Sequence, residues 1–281
     1  MFQNKKISSV PLALTLAVNH DGSHLGQVLP EEACFLKNIH LFDHFEFGIS
    51  SKDALTMDVA TRKLFEHSFL ALLDSGVHPR SQNVGAFTSS IAFDLLSATD
   101  VDEFDVRDGF GGGAAAVSNQ VSYQLDLLGP SIPVDTACRI NYRFLDWVHY
   151  SQLSILSPSG KSSPFNASAD GMGCGEAVVV FVIKLLEDAI RDGDKIYATM
   201  LNTTINSTGS AGPLKTPIPE SQAAAMLAAY NGIGRSPTEV DFVECHATGT
   251  SVGDPVEANW VGNHFKRDEE LLIGSVKGNI G

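Results

Sequence analysis

Three short, partly apolar runs in this chain end in the same way. Ile132 to Asp135 leads into Thr136-Ala137-Cys138, Val240 to Cys245 into His246-Ala247-Thr248-Gly249-Thr250, and Leu271 to Val276 into Lys277-Gly278. Apolar runs of this length, closed by small or turn-forming residues, read as strands. Helical patterns lie between them. Asp58 to Gly76 has a capping aspartate, an apolar face of Phe65, Phe69, Leu72 and Leu73, and a terminating glycine. Gly113 to Leu125 and the Ala-rich Gln222 to Tyr230 read as further helices, the latter stopped near Gly232 and Gly234. Alternation of this kind predicts a layered α/β architecture in which strand ends carry the chemistry.

Further strands are expected over Val84–Thr88, Ala177–Leu185 and Ile196–Ile205. The run Ala177–Leu185 is continuously apolar, as in a strand covered on both faces. Asp254-Pro255-Val256-Glu257 predicts a helix start with Asp254 as N-cap, Pro255 first, and Glu257 closing a capping box. The last strand is expected to deliver Lys277 into a Gly-containing turn.

The strand ends carry specific residue types. A thiol at the start of a helix has its thiolate stabilised by the helix dipole, which makes Cys138 a candidate nucleophile. A histidine delivered into a loop of small residues can donate to a thioester carbonyl and hold developing enolate charge, which makes His246 a candidate catalyst. Taken alone, such a histidine more often merely ends a strand, and a strand-end lysine such as Lys277 is usually solvated.

Bulk properties narrow the field. The 281 residues carry a formal charge of −14, which argues against nucleic acid as the main partner, because phosphate binding needs clustered Lys and Arg. An apolar content of 43% is enough to build a sizeable core. Cys34, Cys138, Cys174 and Cys245 form no CxxC pair, so neither a zinc site nor a disulfide framework is expected; reduced thiols in a cytoplasmic setting are. Val10 to Val18 follows Lys5 and Lys6 like a signal-peptide core but lacks a cleavage site, and no run is long enough to span a bilayer. Gly109 to Ala114 fits G-x-G-x-x-A, yet an acidic stretch precedes it where a dinucleotide fold needs an apolar strand. Asp94 to Asp108 lacks calcium-loop spacing, and no G-x-S-x-G elbow is present.

Together the segments resemble the beta-ketoacyl synthase (ketosynthase) domains of type I polyketide and fatty-acid synthases, in the thiolase superfamily. The likeness rests on Phe42-Asp43 through Phe47-Gly48-Ile49-Ser50, Met57-Asp58 with Arg62, Leu128-Gly129-Pro130-Ser131, Val134-Asp135-Thr136-Ala137-Cys138, Leu156-Ser157-Pro158 with Gly160, Ala169-Asp170-Gly171 with Gly175-Glu176, Asp192-Gly193-Asp194, and the His246 and Lys277 motifs. The resemblance implies a thiolase-like layered α-β-α-β-α fold and a homodimer. It implies Cys138 as the acyl-accepting nucleophile, His246 as one of two histidines promoting decarboxylation of a malonyl-type extender, and Lys277 as their support. Thr248 and Thr250 would line the entry of the phosphopantetheine arm of an acyl carrier protein, and Glu176 would be a structural or network carboxylate near the site. No cofactor or metal is bound in such enzymes, and neither a membrane nor nucleic acid is a partner.

Departures from the family pattern set further expectations. Residues 1–36 are expected to lie outside the likeness, 37–208 to form the first half of the domain, and 209–281 to begin a truncated second half. The stretch 139–150 reads as a shortened segment, with Arg139 and Arg143 where a dry helix belongs; a new helix over Arg139–Tyr150 would put Phe144 and Val148 inward. The family's second histidine would fall just past Gly281. The alternative function is therefore a catalytically dead fragment acting at most as a binding or dimerisation remnant.

Overall fold

The computed structural model describes residues 8–9, 32–89, 114–134, 150–209, 211–212 and 217–280. In chain order its elements begin with β1 (Ser8–Ser9), β2 (Glu32–Ala33), α1 (Ser51–Thr56), α2 (Val59–Asp74), β3 (Ala86–Thr88), α3 (Ala114–Gln124) and β4 (Ser131–Pro133). Next come α4 (Leu186–Asp192), α5 (Pro219–Tyr230), β5 (Phe242–Glu244), α6 (Gly253–His264), β6 (Leu272–Gly274) and α7 (Lys277–Ile280). Among the described residues the strands form three two-stranded sheets, of which β3–β4 and β5–β6 are parallel. Parallel pairing requires a crossover, and helices supply it in both cases.

The chain divides into two compact units. One comprises residues 36–143 and 176–199, the other 1–35, 144–175 and 200–281. The core of the first is built by Phe47, Phe65, Leu72, Ala86, Val121 and Leu125. Phe42 stacks on Phe47 with centroids 5.4 Å apart, and Phe69 meets Phe47 edge-on at 5.8 Å. Offset and edge-on rings add specificity beyond the area they bury. Helix α2 matches its expected start: the Asp58 carboxylate accepts from Ala60 N–H at 3.0 Å. Leu73, expected on the inward face, is 48% exposed, because the buried stripe follows Phe65, Ser68 and Leu72.

Burial pushes the Asp58 carboxyl above its ordinary range, against the N–H groups of Thr61, Ala60 and Val59 and the Arg62 charge, which pull it down. A carboxyl whose folded pKa is raised favours the folded state below the unfolded value of 3.8 and loses that benefit as pH rises through its folded pKa. Asp58→Asn keeps a capping oxygen and removes the ionisation. We expect it to be more stable than the wild type at pH 7.5 and no better at pH 4, read from urea midpoints.

Gly129 shows why β3 and β4 pair closely. A Cβ there would lie 2.5 Å from the carbonyl carbon of Val84, so only glycine admits the approach. The pairing runs on past the strand ends, with Val134 N–H donating to Thr88 O at 2.8 Å.

The structure departs from the sequence expectation in several places. Residues 177–185 form no assigned strand. They alternate instead, with Val179, Phe181, Ile183 and Leu185 63–80% exposed and Val182 packed on the first core, so one face is covered rather than two. Residues 196–205 also lie outside any strand and are mostly exposed, Ile205 at 96%. Helix α5 starts earlier than expected, because Pro219 presets its first turn. Val10–Val18, Asp94–Asp108, Gly109–Gly113 and the helix expected after Cys138 lie outside the described residues, as does Cys138 itself. Among the described residues no helix is long and apolar enough to cross a membrane.

Candidate functional site

Strands β5 and β6 pair in parallel register, Phe242 with Leu272, Val243 with Ile273 and Glu244 with Gly274. Parallel strands finish at the same end of their sheet, so His246 and Lys277 emerge side by side from one edge. The pairing extends one step further, Cys245 N–H donating to Gly274 O at 2.8 Å. Beneath the edge lies a core of Cys245, Ala247, Val261 and Phe265. His246 is exposed, and Lys277, Thr248 and Thr250 are half-buried.

The acidic residues expected to form a capping box hold this loop instead. Helix α6 begins at Gly253, one residue before the expected N-cap, and its first residue donates to Thr250 Oγ1 at 3.2 Å. Glu257 is thereby released from capping. Its two carboxylate oxygens accept from His246 N–H at 2.7 Å and Ala247 N–H at 2.8 Å. Asp254, 3% exposed, accepts from Gly249 N–H at 3.2 Å, Thr250 N–H at 3.1 Å and Phe165 N–H at 3.0 Å. It therefore ties the Thr248–Thr250 loop to the turn at Phe165. Gly249 completes the tie: its φ is +85°, its carbonyl accepts from Gly171 N–H at 3.1 Å, and a Cβ on it would lie 2.7 Å from Ser163 N.

The turn before Lys277 is held in the same manner. Val276 N–H donates to Glu244 Oε1 at 2.7 Å, and Ser275 Oγ reaches His246 O at 3.4 Å. Lys277 does not end in an open turn as expected but begins the short helix α7. Sequence reading misses Glu244 and the roles of Asp254 and Glu257. The available signal is the spacing: Glu257 follows His246 by eleven residues, enough for a loop and the first turn of a helix to fold back.

Glu176 belongs to the first unit, where its carboxylate accepts from Leu36 N–H at 3.0 Å. Burial raises its pKa and that bond offsets part of the rise. Cys34, Cys174 and Cys245 are buried and free. Burial pushes the Cys174 thiol up to about 11; Cys245 is also pushed up to about 11, by burial and then by the charges of Glu257, Glu244 and Asp254. At neutral pH these two stay protonated and unreactive. Among the described residues no cluster of His, Cys, Asp or Glu could hold a metal ion.

Comparisons with known proteins converge. A profile described as "Beta-ketoacyl synthase, N-terminal domain" matches residues 3–139 and 143–189, and one described as "Beta-ketoacyl synthase, C-terminal domain" matches residues 197–281. A highly reducing polyketide synthase of Strobilurus tenacellus is 75% identical over 287 residues, covering 92% of this chain and 10% of that protein. A phenolphthiocerol/phthiocerol polyketide synthase of Mycobacterium tuberculosis is 36% identical, covering 88% of this chain and 15% of its own length. The solved ketosynthase from module 6 of the Bacillus subtilis bacillaene synthase superposes with a TM-score of 0.86 at 25% identity, over 98% of this chain and 52% of that one. The chain thus spans about half of a solved ketosynthase and a small part of the curated synthases it matches. The fold is the thiolase-like α/β fold of ketosynthases, and with the N-terminal profile covering more than half its length, the chain belongs to the beta-ketoacyl synthase family.

Proposed function

We propose that this chain is ketosynthase sequence of a polyketide synthase and serves decarboxylative Claisen condensation. The spans matched by the two profiles, 3–139 with 143–189 and then 197–281, are read as portions of the two halves of that domain. Cys138 attacks an acyl thioester carried on the phosphopantetheine of an acyl carrier protein; the acyl carbon bonds to sulfur and the carrier thiol leaves. A malonyl-type thioester then loses carbon dioxide as its carbon–carbon bond breaks. His246 donates a hydrogen bond to the thioester oxygen, where the negative charge of the enolate collects, and Lys277 supports it. The enolate carbon attacks the acyl-Cys138 carbonyl, the new carbon–carbon bond forms, and the Cys138 thiolate departs. Thr248 and Thr250 line the approach of the pantetheine arm, and Glu176 braces the backbone at Leu36. In this reading two copies associate as a homodimer.

The observation that carries this reading is the shared exit of His246 and Lys277 from one end of the β5–β6 pair, with Glu257 holding the His246 N–H and Glu244 holding the N–H of Val276 just before Lys277. The test is carbon dioxide release from a malonyl-pantetheine thioester. We expect measurable release by the wild-type chain and a fall of about 10²–10³-fold in His246→Ala, the usual effect of removing one oxyanion donor. Equal rates in the two proteins would refute the role given to His246.

A further inference from the structure

We propose that Glu244 is a positioning residue that sets where Lys277 stands relative to His246, a role that rests on the functional reading above. Glutamate is disfavoured in strands, yet Glu244 closes β5, two residues before His246 in the loop that follows. Glu244 is exposed, and its carboxylate still holds a backbone group. Oε1 accepts from Val276 N–H at 2.7 Å, the backbone group immediately preceding Lys277. A charged acceptor at this distance makes one of the stronger hydrogen bonds available to a backbone amide.

The geometry explains why such a clamp is needed. The ladder between β5 and β6 ends with Cys245 N–H on Gly274 O. Past that rung the two chains turn apart, one into the His246 loop and the other into α7. Glu257 fixes the first branch by holding His246 and Ala247 N–H. Among the described residues, the bonds that join the branches beyond the ladder are Glu244 to Val276 and the Ser275 hydroxyl to His246 O at 3.4 Å. The latter is at the limit of hydrogen-bond length. Glu244 is therefore the main link that converts strand pairing into a fixed spacing of the two functional side chains.

The test compares Glu244→Ala and Glu244→Gln with the full wild-type chain by three readouts. The first is hydrogen exchange at Val276 N–H. The second is the side-chain carbon resonance of Lys277 in lysine-labelled protein, assigned with Lys277→Arg. The third is carbon dioxide release from malonyl-pantetheine. In Glu244→Ala we expect Val276 to exchange about tenfold faster, as for loss of one charge-assisted hydrogen bond, with a displaced Lys277 resonance. We expect kcat to fall about tenfold at nearly constant KM, since the loss is of transition-state alignment rather than binding. Glu244→Gln, which keeps an acceptor oxygen, restores all three. Unchanged Val276 exchange and an unmoved Lys277 resonance in Glu244→Ala overturn the proposal, as does a Gln variant as impaired as Ala. A wild-type chain that releases no carbon dioxide defeats the functional reading instead, while the first two readouts still decide the clamp.

Discussion

Asp254→Ala is expected to lose about 3–5 kcal/mol of folding stability, read as a lowered urea midpoint at unchanged slope. The carboxylate is 3% exposed and accepts from the backbone N–H groups of Phe165, Gly249 and Thr250. Truncation leaves these donors facing a small cavity without an acceptor. Each buried, unpaired N–H costs about 1–3 kcal/mol, and a water entering the space recovers part of the sum. The loss is compounded locally, because Phe165 sits at a φ of +58°, a conformation that the surrounding bonds must hold. Asp254→Asn retains one oxygen and turns an amide nitrogen toward the remaining donors, so its loss lies between wild type and Ala. A change below about 1 kcal/mol in Asp254→Ala would show that the Thr248–Thr250 loop is held by other means.

Much of this arrangement is legible in the sequence, and the exceptions have a common cause. Helix α2 follows from the Phe65–Leu72 periodicity and the Asp58 cap, and α3 from its expected span. The strands before His246 and Lys277 fall within their expected runs, because an apolar stretch closed by small residues leaves few other conformations. Local pattern puts Asp254 and Glu257 at the correct helix end but assigns them the wrong partners. A capping box is a local rule, whereas the N–H groups these carboxylates accept from belong to His246, Ala247, Gly249, Thr250 and the distant Phe165. Local sequence cannot rank a helix's own N–H groups against those of a loop folded over them. Ala177–Leu185 fails for a related reason. Apolarity alone does not say how many faces of a run are covered, and Val179 and Phe181 are open while Val182 packs inward. Along the chain the candidate site is three separate strand ends. What joins two of them is the parallel register of β5 and β6, a long-range fact that no single segment states.

The largest functional effect is expected at Cys138, the residue for which no other group in the proposed chemistry can substitute. Covalent transfer needs a thiolate, and Cys138 follows by four residues Val134, whose N–H is bonded to Thr88 O at the end of the β3–β4 pair. The thiols of Cys174 and Cys245 are buried and pushed up to about 11, so they do not compete for an acyl group at neutral pH. Removing the nucleophile should lower acyl transfer by roughly 10³-fold or more, as the loss of a covalent nucleophile does elsewhere. The decisive measurement is the intact mass of the chain after incubation with an acyl-pantetheine thioester at pH 7.5. Nucleophilic catalysis by Cys138 predicts a gain of one acyl group in the wild type, located to Cys138 by peptide mapping and lost in Cys138→Ala. An unchanged wild-type mass, or an equal gain in Cys138→Ala, would contradict it.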